Sequence, residues 1–293
     1  MKDVSIIIVN YNTSVLIRNL LETIEKKTEG ISYEIIVVDN KPTDQFAVDL
    51  KDYLDKIIYL PLEENVGFGR ANNEGVKIAK GRNILFLNPD TLLVNNAIKI
   101  LSDYLDNNEL VGACGGNLLH DDLTPAPSLK MILPSIRWEL NDISSNNLLK
   151  LLYGKFYFYN TSNKPKSVGY ICGADLMVKK VVLDEVGAFD PDFFMYYEET
   201  DLCRRIHTAG HKIMSVPSAS IIHLEGKSLS SSESKIKMLS ESRKTYLKKA
   251  YKPYKIKLIN ALYNFNASIK YFIASCLKNE NGKTYWSLIK KYS

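Results

Sequence analysis

Three short, mainly apolar runs near the start of the chain each break off in Asn or Asp, and that repetition constrains the fold most. Ser5–Val9 (SIIIV) ends in Asn10-Tyr11-Asn12, Glu34–Val38 (EIIVV) in Asp39-Asn40, and Ile84–Leu87 (ILFL) in Asn88-Pro89-Asp90. Apolar runs this short, without a polar gap, suit inner parallel strands whose two faces are both covered. Between them lie segments of helical character. Thr13 opens a helix with Leu16, Leu20, Leu21 and Ile24 on one face, Thr43–Leu54 reads as a second, and Asn65–Gly75 (NVGFGRANNEG) is a glycine-punctuated turn running into a helix that ends at Lys80. Ile57–Leu60 is a further strand. Alternating strands and helices predict an α/β fold with a mostly parallel, doubly wound sheet and right-handed crossovers. The polar strand ends then form one rim on one edge of that sheet.

Pro89 cannot continue a ladder, so the chain leaves the sheet there and Asp90 is held just past a strand's carboxyl end. Ligands bind at that edge in open α/β sheets. A carboxylate so placed suits a hard divalent cation carrying a diphosphate; the competing role is a helix cap. Glycine loops do not explain phosphate binding. Gly67-Phe-Gly69 lacks the third glycine of GxGxxG and follows the third strand, and there is no GxxxxGK[ST].

The later sequence is less regular. A helix is predicted over 95–106 and a strand over Val111–Asn117, after which 118–166 reads as a long variable insertion, partly helical around 148–152. Gly169–Lys179 is a strand approached through small residues, and Val181–Val186 a short helix closed by Gly187. Then an aromatic run (Phe193, Phe194, Tyr196, Tyr197) leads into Glu198, Glu199 and Asp201, at the start of a helix predicted over Glu199–Ala209. Acids favour a helix N-terminus through the dipole. A carboxylate beside apolar rings also tends to a raised pKa and can serve as a general base. Lys212–Val216 and Ser220–His223 are predicted as two strands, and His223, at a strand end facing the Gly/Ser loop that follows, is either a core residue or a partner of Asp90 in coordination.

In combination and in order, VSIIIVNYN, EIIVVDN, NVGFGRANNEG, ILFLNPDT, FFMYYEETDLCRRI and HLEGKS resemble the family 2 nucleotide-sugar glycosyltransferases of GT-A fold, specifically the rhamnosyltransferase-like branch, from Val4 to about Ser228. The resemblance implies a Rossmann-like mixed, mostly parallel sheet flanked by helices, with a C-terminal helical extension. It implies that Val9, Asn10 and Tyr11 contact a nucleobase and that Asp39, beside Asn40, accepts its imide N–H. Arg70 and Asn73 would lie near the donor, with Gly173 and Ala174 completing the donor set. Asn88-Pro-Asp90 stands where the family carries DxD, Asp90 binding Mg²⁺ or Mn²⁺ with His223 as further ligand; Asn88 replaces the first acid, so ribose or a metal-bound water is its expected contact. Glu198-Glu199 stands where the family carries an ED pair, which makes Glu199 the expected base, with Glu198 and Asp201 as alternatives. Arg205 matches the family's arginine and is expected to pair locally. The implied reaction is inverting transfer from a nucleoside diphosphate sugar (dTDP or UDP, rhamnose favoured) to a glycan or lipid-linked acceptor.

The net charge of +5 hides a split that bears on partners. Residues 235–293 carry 14 Lys/Arg against 2 acids, a net of +12, while the preceding body carries 24 against 31, a net of −7. The unit 1–234 is therefore expected to be the transferase domain and 235–293 a basic amphipathic extension. Leu258, Leu262, Phe265, Ile269, Phe272 and Cys276 recur at helical spacing, broken by Asn260, Asn264 and Lys270, so the helix should not span a bilayer. That stripe lies on a membrane surface through 251–293 or packs on protein, the catalytic domain or another subunit of a homo-oligomer. Four scattered cysteines without CxxC and a start unlike a signal peptide predict a cytoplasmic chain, peripheral at the inner face of the plasma membrane if the stripe meets lipid. Competing functions are a nucleotidyltransferase, which would show a glycine-rich basic loop where NYNTS stands, and an inactive nucleotide-binding scaffold. The acidic body and lack of a recognised motif argue against nucleic acid.

Overall fold

The computed structural model describes residues 2–224 and 232–293. In chain order the first half comprises β1 (Lys2–Asn10), α1 (Ser14–Lys27), β2 (Tyr33–Asp39), α2 (Asp44–Asp49), β3 (Ile58–Pro61), α3 (Phe68–Ile78), β4 (Gly81–Leu87), β5 (Thr91–Leu93), α4 (Ala97–Asp106) and β6 (Val111–Leu119). The second comprises β7 (Leu129–Lys130), α5 (Ile136–Ile143), α6 (Asn147–Tyr153), β8 (Lys166–Ser167), β9 (Tyr170–Ile171), β10 (Asp175–Lys179), α7 (Lys180–Val186), α8 (Glu198–Thr208) and β11 (Lys212–His223). Three helices follow: α9 (Ser232–Ala250), α10 (Pro253–Cys276) and α11 (Glu280–Tyr292).

Among these residues one nine-stranded sheet runs in the order β3-β2-β1-β4-β10-β6-β11-β5, with β8 pairing β11 off that path. β1 to β4 are parallel, β10 runs against both β4 and β6, and β11 is parallel to β6. The apolar runs fill both faces. Ile6, Ile8, Leu85 and Leu87 pack towards α1 and α4, while Ile7, Ile84, Phe86 and Leu176 pack towards α3, α7 and α8. Each such side chain contributes about 1.5–3 kcal/mol on full burial, and the buried polar residues of β1 and β4 are hydrogen-bonded, Ser5 to Glu34 and the Gly81 N–H, and Asn83 to Ser102 and Asp106.

Several boundaries differ from expectation. The second helix is six residues, because after Leu50 the chain continues in three-residue turns (Tyr53 N–H to Leu50 O, Lys56 N–H to Tyr53 O). Lys212–Val216 and Ser220–His223 belong to one strand, β11, whose pairing to β6 lapses between Ser215 and Ser220 around Pro217, which has no N–H to give. Gly169–Lys179 is two strands, β9 and β10. Thr91–Leu93, following the NPD turn, is an edge strand. The insertion holds two helices, the first capped by Ser135. The Glu225–Ser228 part of HLEGKS lies outside the described residues.

The extension is three helices bound to the body. α10 turns Ile259, Asn266, Ala267 and Ala274 inward, against α5, α9 and α11. Leu258, Phe265 and Phe272, one residue in seven along the expected stripe, face outward, 48%, 58% and 68% exposed. No described helix is long and apolar enough to cross a membrane.

Candidate active site

The donor rim is built by strand register. Asn10 and Asp39 are partners at the ends of β1 and β2, and the Asn10 amide donates to Asp39 Oδ1 at 2.8 Å. The Lys41 N–H donates to the same oxygen at 3.0 Å and the Tyr59 hydroxyl to Oδ2 at 3.0 Å. Asp39 is fully buried, and burial, then its hydrogen bond, pushes the Tyr59 hydroxyl up to about 12. Asn40 clasps the next loop, its Oδ1 accepting from Val66 N–H and its amide donating to the Gly67 carbonyl. Tyr11 is exposed, with the Lys41 ammonium 5.8 Å from its ring centre. Val9 belongs to the core, so only its backbone is available at the rim.

Arg70 and Asn73, expected near the donor, bond to the loop before the acid pair. The Asn73 amide donates to Phe189 O at 2.7 Å and its Oδ1 accepts Phe189 N–H at 2.9 Å, so both ends of that side chain hold the loop before the acid pair. Arg70 Nε donates to Pro191 O in the same loop. Both residues sit on α3 and tie it to the loop before Glu198-Glu199.

Asp90 and His223 lie together, His223 Nε2 being 3.4 Å from Asp90 Oδ1, both nearly buried. The ladder arranges this: β11 runs against β5 with His223 opposite Thr91. Asn88 Oδ1 is buried without a partner. By chemistry the set fits a divalent cation, because a carboxylate touches an imidazole and an unpartnered amide oxygen stands two residues before that carboxylate, while His223 lines an open cleft of about 640 Å³ with His120, Asp121, Asp122 and Thr124. Among the described residues no group of three His, Cys, Asp or Glu could hold a metal alone, so substrate and solvent would complete its shell. Behind this edge Asp175, fully buried, takes the Gly116 N–H on Oδ2 at 2.6 Å, and burial lifts its carboxyl to about 7. Its sequence signal was one acid opening a strand with an apolar middle (DLMVK).

The acid pair is set by strained backbone. Tyr196 and Tyr197 are consecutive left-handed residues, φ +70° and +68°, a conformation that costs non-glycine residues energy and persists only where the surroundings enforce it. α8 begins directly after them. Glu198 is buried with Oε2 unpartnered, and Glu199 is half-buried and accepts the Thr200 hydroxyl at 3.0 Å. Burial raises both carboxyls above the ordinary range, and the neighbouring Glu199 charge raises Glu198 further. Asp201 is otherwise engaged. Fully buried, it pairs with Arg204 and Arg205 at 2.7 Å each, and Arg205 also donates to the carbonyls of Val186, Gly187 and Ala188.

The two halves of the site meet at Gly173-Ala174. A Cβ on Gly173 would lie 3.6 Å from Glu199 Cβ and Cγ, and the Ala174 carbonyl accepts the Asn88 N–H at 3.0 Å. The acid pair and the Asn88–Asp90 turn therefore flank one two-residue bridge. A second tie runs through Gly67 (φ +88°), whose neighbour Phe68 donates its N–H to Phe194 O at 2.9 Å.

The mostly parallel sheet with helices on both faces is of the GT-A type. The sequence matches the model of glycosyl transferase family 2 over residues 5–187, and the chain belongs to that family. It is 26% identical to dTDP-rhamnosyl transferase RfbF of Shigella flexneri, over 75% of this chain and 68% of the relative. It is 25% identical to the N-acetylglucosaminyl-diphospho-decaprenol L-rhamnosyltransferase of Mycobacterium tuberculosis, over 74% and 75%. With the low-salt glycan biosynthesis hexosyltransferase Agl10 of Haloferax volcanii it shares 28% identity over 69% of this chain, spanning 61% of that relative. Among solved structures, GalNAc-T7 with UDP, GalNAc and Mn²⁺ superposes with a TM-score of 0.62 at 15% identity, over 81% of this chain and 48% of that one. That likeness is one of fold.

Proposed function

We propose that the chain transfers a sugar, rhamnose being the first candidate, from a dTDP- or UDP-linked donor to a hydroxyl of a growing surface glycan or lipid-linked acceptor, with inversion. The observation that carries this reading is the Gly173-Ala174 bridge, which sets a carboxylate with a raised pKa beside the turn that holds Asp90. In this reading Tyr11 and Asp39 take the base, and Asn88 and Asp90 face the ribose and diphosphate. Glu199 removes the acceptor proton, its carboxylate oriented by the Thr200 hydroxyl, and the freed oxygen attacks the anomeric carbon as the bond to the diphosphate breaks. A divalent cation held by Asp90 and His223 would neutralise charge building on the departing diphosphate. The RfbF and mycobacterial names support rhamnose and a lipid-diphosphate acceptor.

The outward stripe of α10 supports a second element of the reading, contact with an anionic membrane. Leu258, Phe265 and Phe272 are flanked by exposed Lys252, Lys255, Lys257 and Lys278, the pattern of a helix lying in a lipid interface.

The test is a screen of dTDP-, UDP- and GDP-sugars with Mg²⁺ or Mn²⁺ and again with EDTA, with and without a lipid-linked acceptor extract. Metal-dependent release of one nucleoside diphosphate is expected. Absence of binding to every donor would overturn the reading in favour of a scaffold.

A further inference from the structure

The insertion supplies a structure beside Glu199 that the reaction above does not use. β7 and β9 pair antiparallel with Lys130 opposite Tyr170, and β9 packs along α8, so the Tyr170 hydroxyl reaches Thr200, the residue that orients Glu199. Trp138, on α5, stacks on Tyr170 with ring centres 6.4 Å apart and planes at 24°. The Lys130 ammonium lies 5.5 Å from the Trp138 ring centre. All three side chains are half-buried and keep a face to solvent. Glu199, Tyr170, Trp138 and Lys130 thus form one continuous cluster beside the acid pair.

Lys130 makes no ion pair among the described residues. The nearest acid acting on it is Asp142, whose Oδ2 is already taken by the Asn266 amide and by Lys270. Burial lowers the Lys130 pKa, so its charge is poorly compensated where it stands. A half-buried indole held by a stacked tyrosine offers the apolar face of a pyranose a packing surface, and an ammonium beside it offers an anion a charge-assisted hydrogen bond.

We infer that Tyr170, Trp138 and Lys130 form the acceptor subsite, Tyr170 backing the Trp138 ring, and that it takes a sugar packed on the solvent-facing part of Trp138 with an anionic group, phosphate or carboxylate, at Lys130. This rests on the transferase reading and adds to it the acceptor's chemical class: a glycan bearing negative charge next to the sugar that is extended.

The chain has two tryptophans, Trp138 and Trp286, so Trp286→Phe leaves Trp138 as the only indole reporter. The full-length variant, with Mn²⁺, is titrated with three probes: N-acetylglucosamine linked by diphosphate to a short prenyl chain, octyl glucuronide, and octyl glucoside. Saturable change with an anionic probe is expected, weakened at least about tenfold by Lys130→Gln. It should be unchanged by Lys150→Gln, which removes another lysine resting on an aromatic ring. A response to the diphosphate alone identifies a lipid-linked acceptor; a response to the glucuronide alone identifies an acidic sugar. Equal affinity in Lys130→Gln, or no response to any probe, overturns the subsite. Donor binding is followed separately by calorimetry with dTDP and UDP. Intact donor binding with no Lys130 effect removes only the subsite, while loss of all donor binding with the Lys130 effect retained removes only the transferase reading.

Discussion

Arg243 of α9 and Glu139 of α5 meet at 2.9 Å with both side chains nearly buried, 104 residues apart in sequence. The guanidinium also donates to Asn260 Oδ1 and lies 3.9 Å from the Tyr263 ring centre. The pair joins the insertion to the extension. Burial lifts the Glu139 carboxyl even with the cation beside it, so removing that cation leaves an uncompensated charge. Arg243→Ala is expected to cost about 3–5 kcal/mol in denaturant unfolding. The double change Glu139→Leu, Arg243→Met should recover most of it, and a double variant as weak as the single would disprove the account.

Glu199→Gln should lower transfer by at least about a hundredfold while leaving donor affinity nearly intact. Burial holds this carboxyl above the 4.5 of an ordinary glutamate. The base works only when ionised, so rate falls as pH drops through that raised value, and the acid limb of the pH–rate profile should lie above pH 4.5. A limb at or below it, or wild-type turnover in the variant, would rule Glu199 out.

Glu198→Gln should stabilise the protein at neutral pH. The folded-state pKa of Glu198 is well above 4.5. As pH rises past 4.5 the unfolded chain ionises first, and wild-type stability falls until the folded pKa is reached. Each pH unit in that window is worth about 1.4 kcal/mol. The Gln variant escapes this loss, so its melting advantage should grow above pH 4.5 and vanish below pH 4, as calorimetry across pH would reveal.

Gly67 has φ +88°, and a Cβ there would lie 2.3 Å from the Phe194 carbonyl oxygen. Gly67→Ala is expected to destabilise by about 1–3 kcal/mol and to lower kcat by displacing the loop before the acid pair. Gly154 has φ +58° with nothing within 4 Å of an added Cβ, so Gly154→Ala should show strain without loss of kcat. Equal kcat losses in the two would sink the contact argument.

Because Leu258, Phe265 and Phe272 point outward, changing all three to Ser should leave melting behaviour intact. Co-sedimentation with anionic vesicles should be lost. Retained vesicle binding would end the membrane reading.

The central sheet was legible because its strands are uninterrupted apolar runs ending in rim residues, and Asp90, His223 and the acid pair stand at predicted element ends. What local pattern could not give was direction and engagement. The large apolar residues of α10 have helical spacing, but which side faces in was decided by Ala267, Ala274 and Asn266, small enough for close approach to α5 and α11. The bond of the Asn73 amide to the Phe189 backbone, 116 residues away, had no local signal. Lys130 and Trp138 carried no signal, because a lone lysine and a lone tryptophan in an irregular segment gain meaning only from the β7–β9 pairing.

The clamp of α9 on the loop before the acid pair orders events during synthesis. Tyr246 packs on Tyr197, Ser242 holds the Met195 carbonyl, and Lys249 pairs with Asp190 and Asp192. A ribosome that has just released residue 224 has emitted the whole sheet, its rim and both acids. The left-handed turn at Tyr196–Tyr197 still lacks the partners that enforce it. On the proposed transferase reading, a chain ending at residue 224 is expected to bind donor without turning it over, and turnover is expected once α9 has docked.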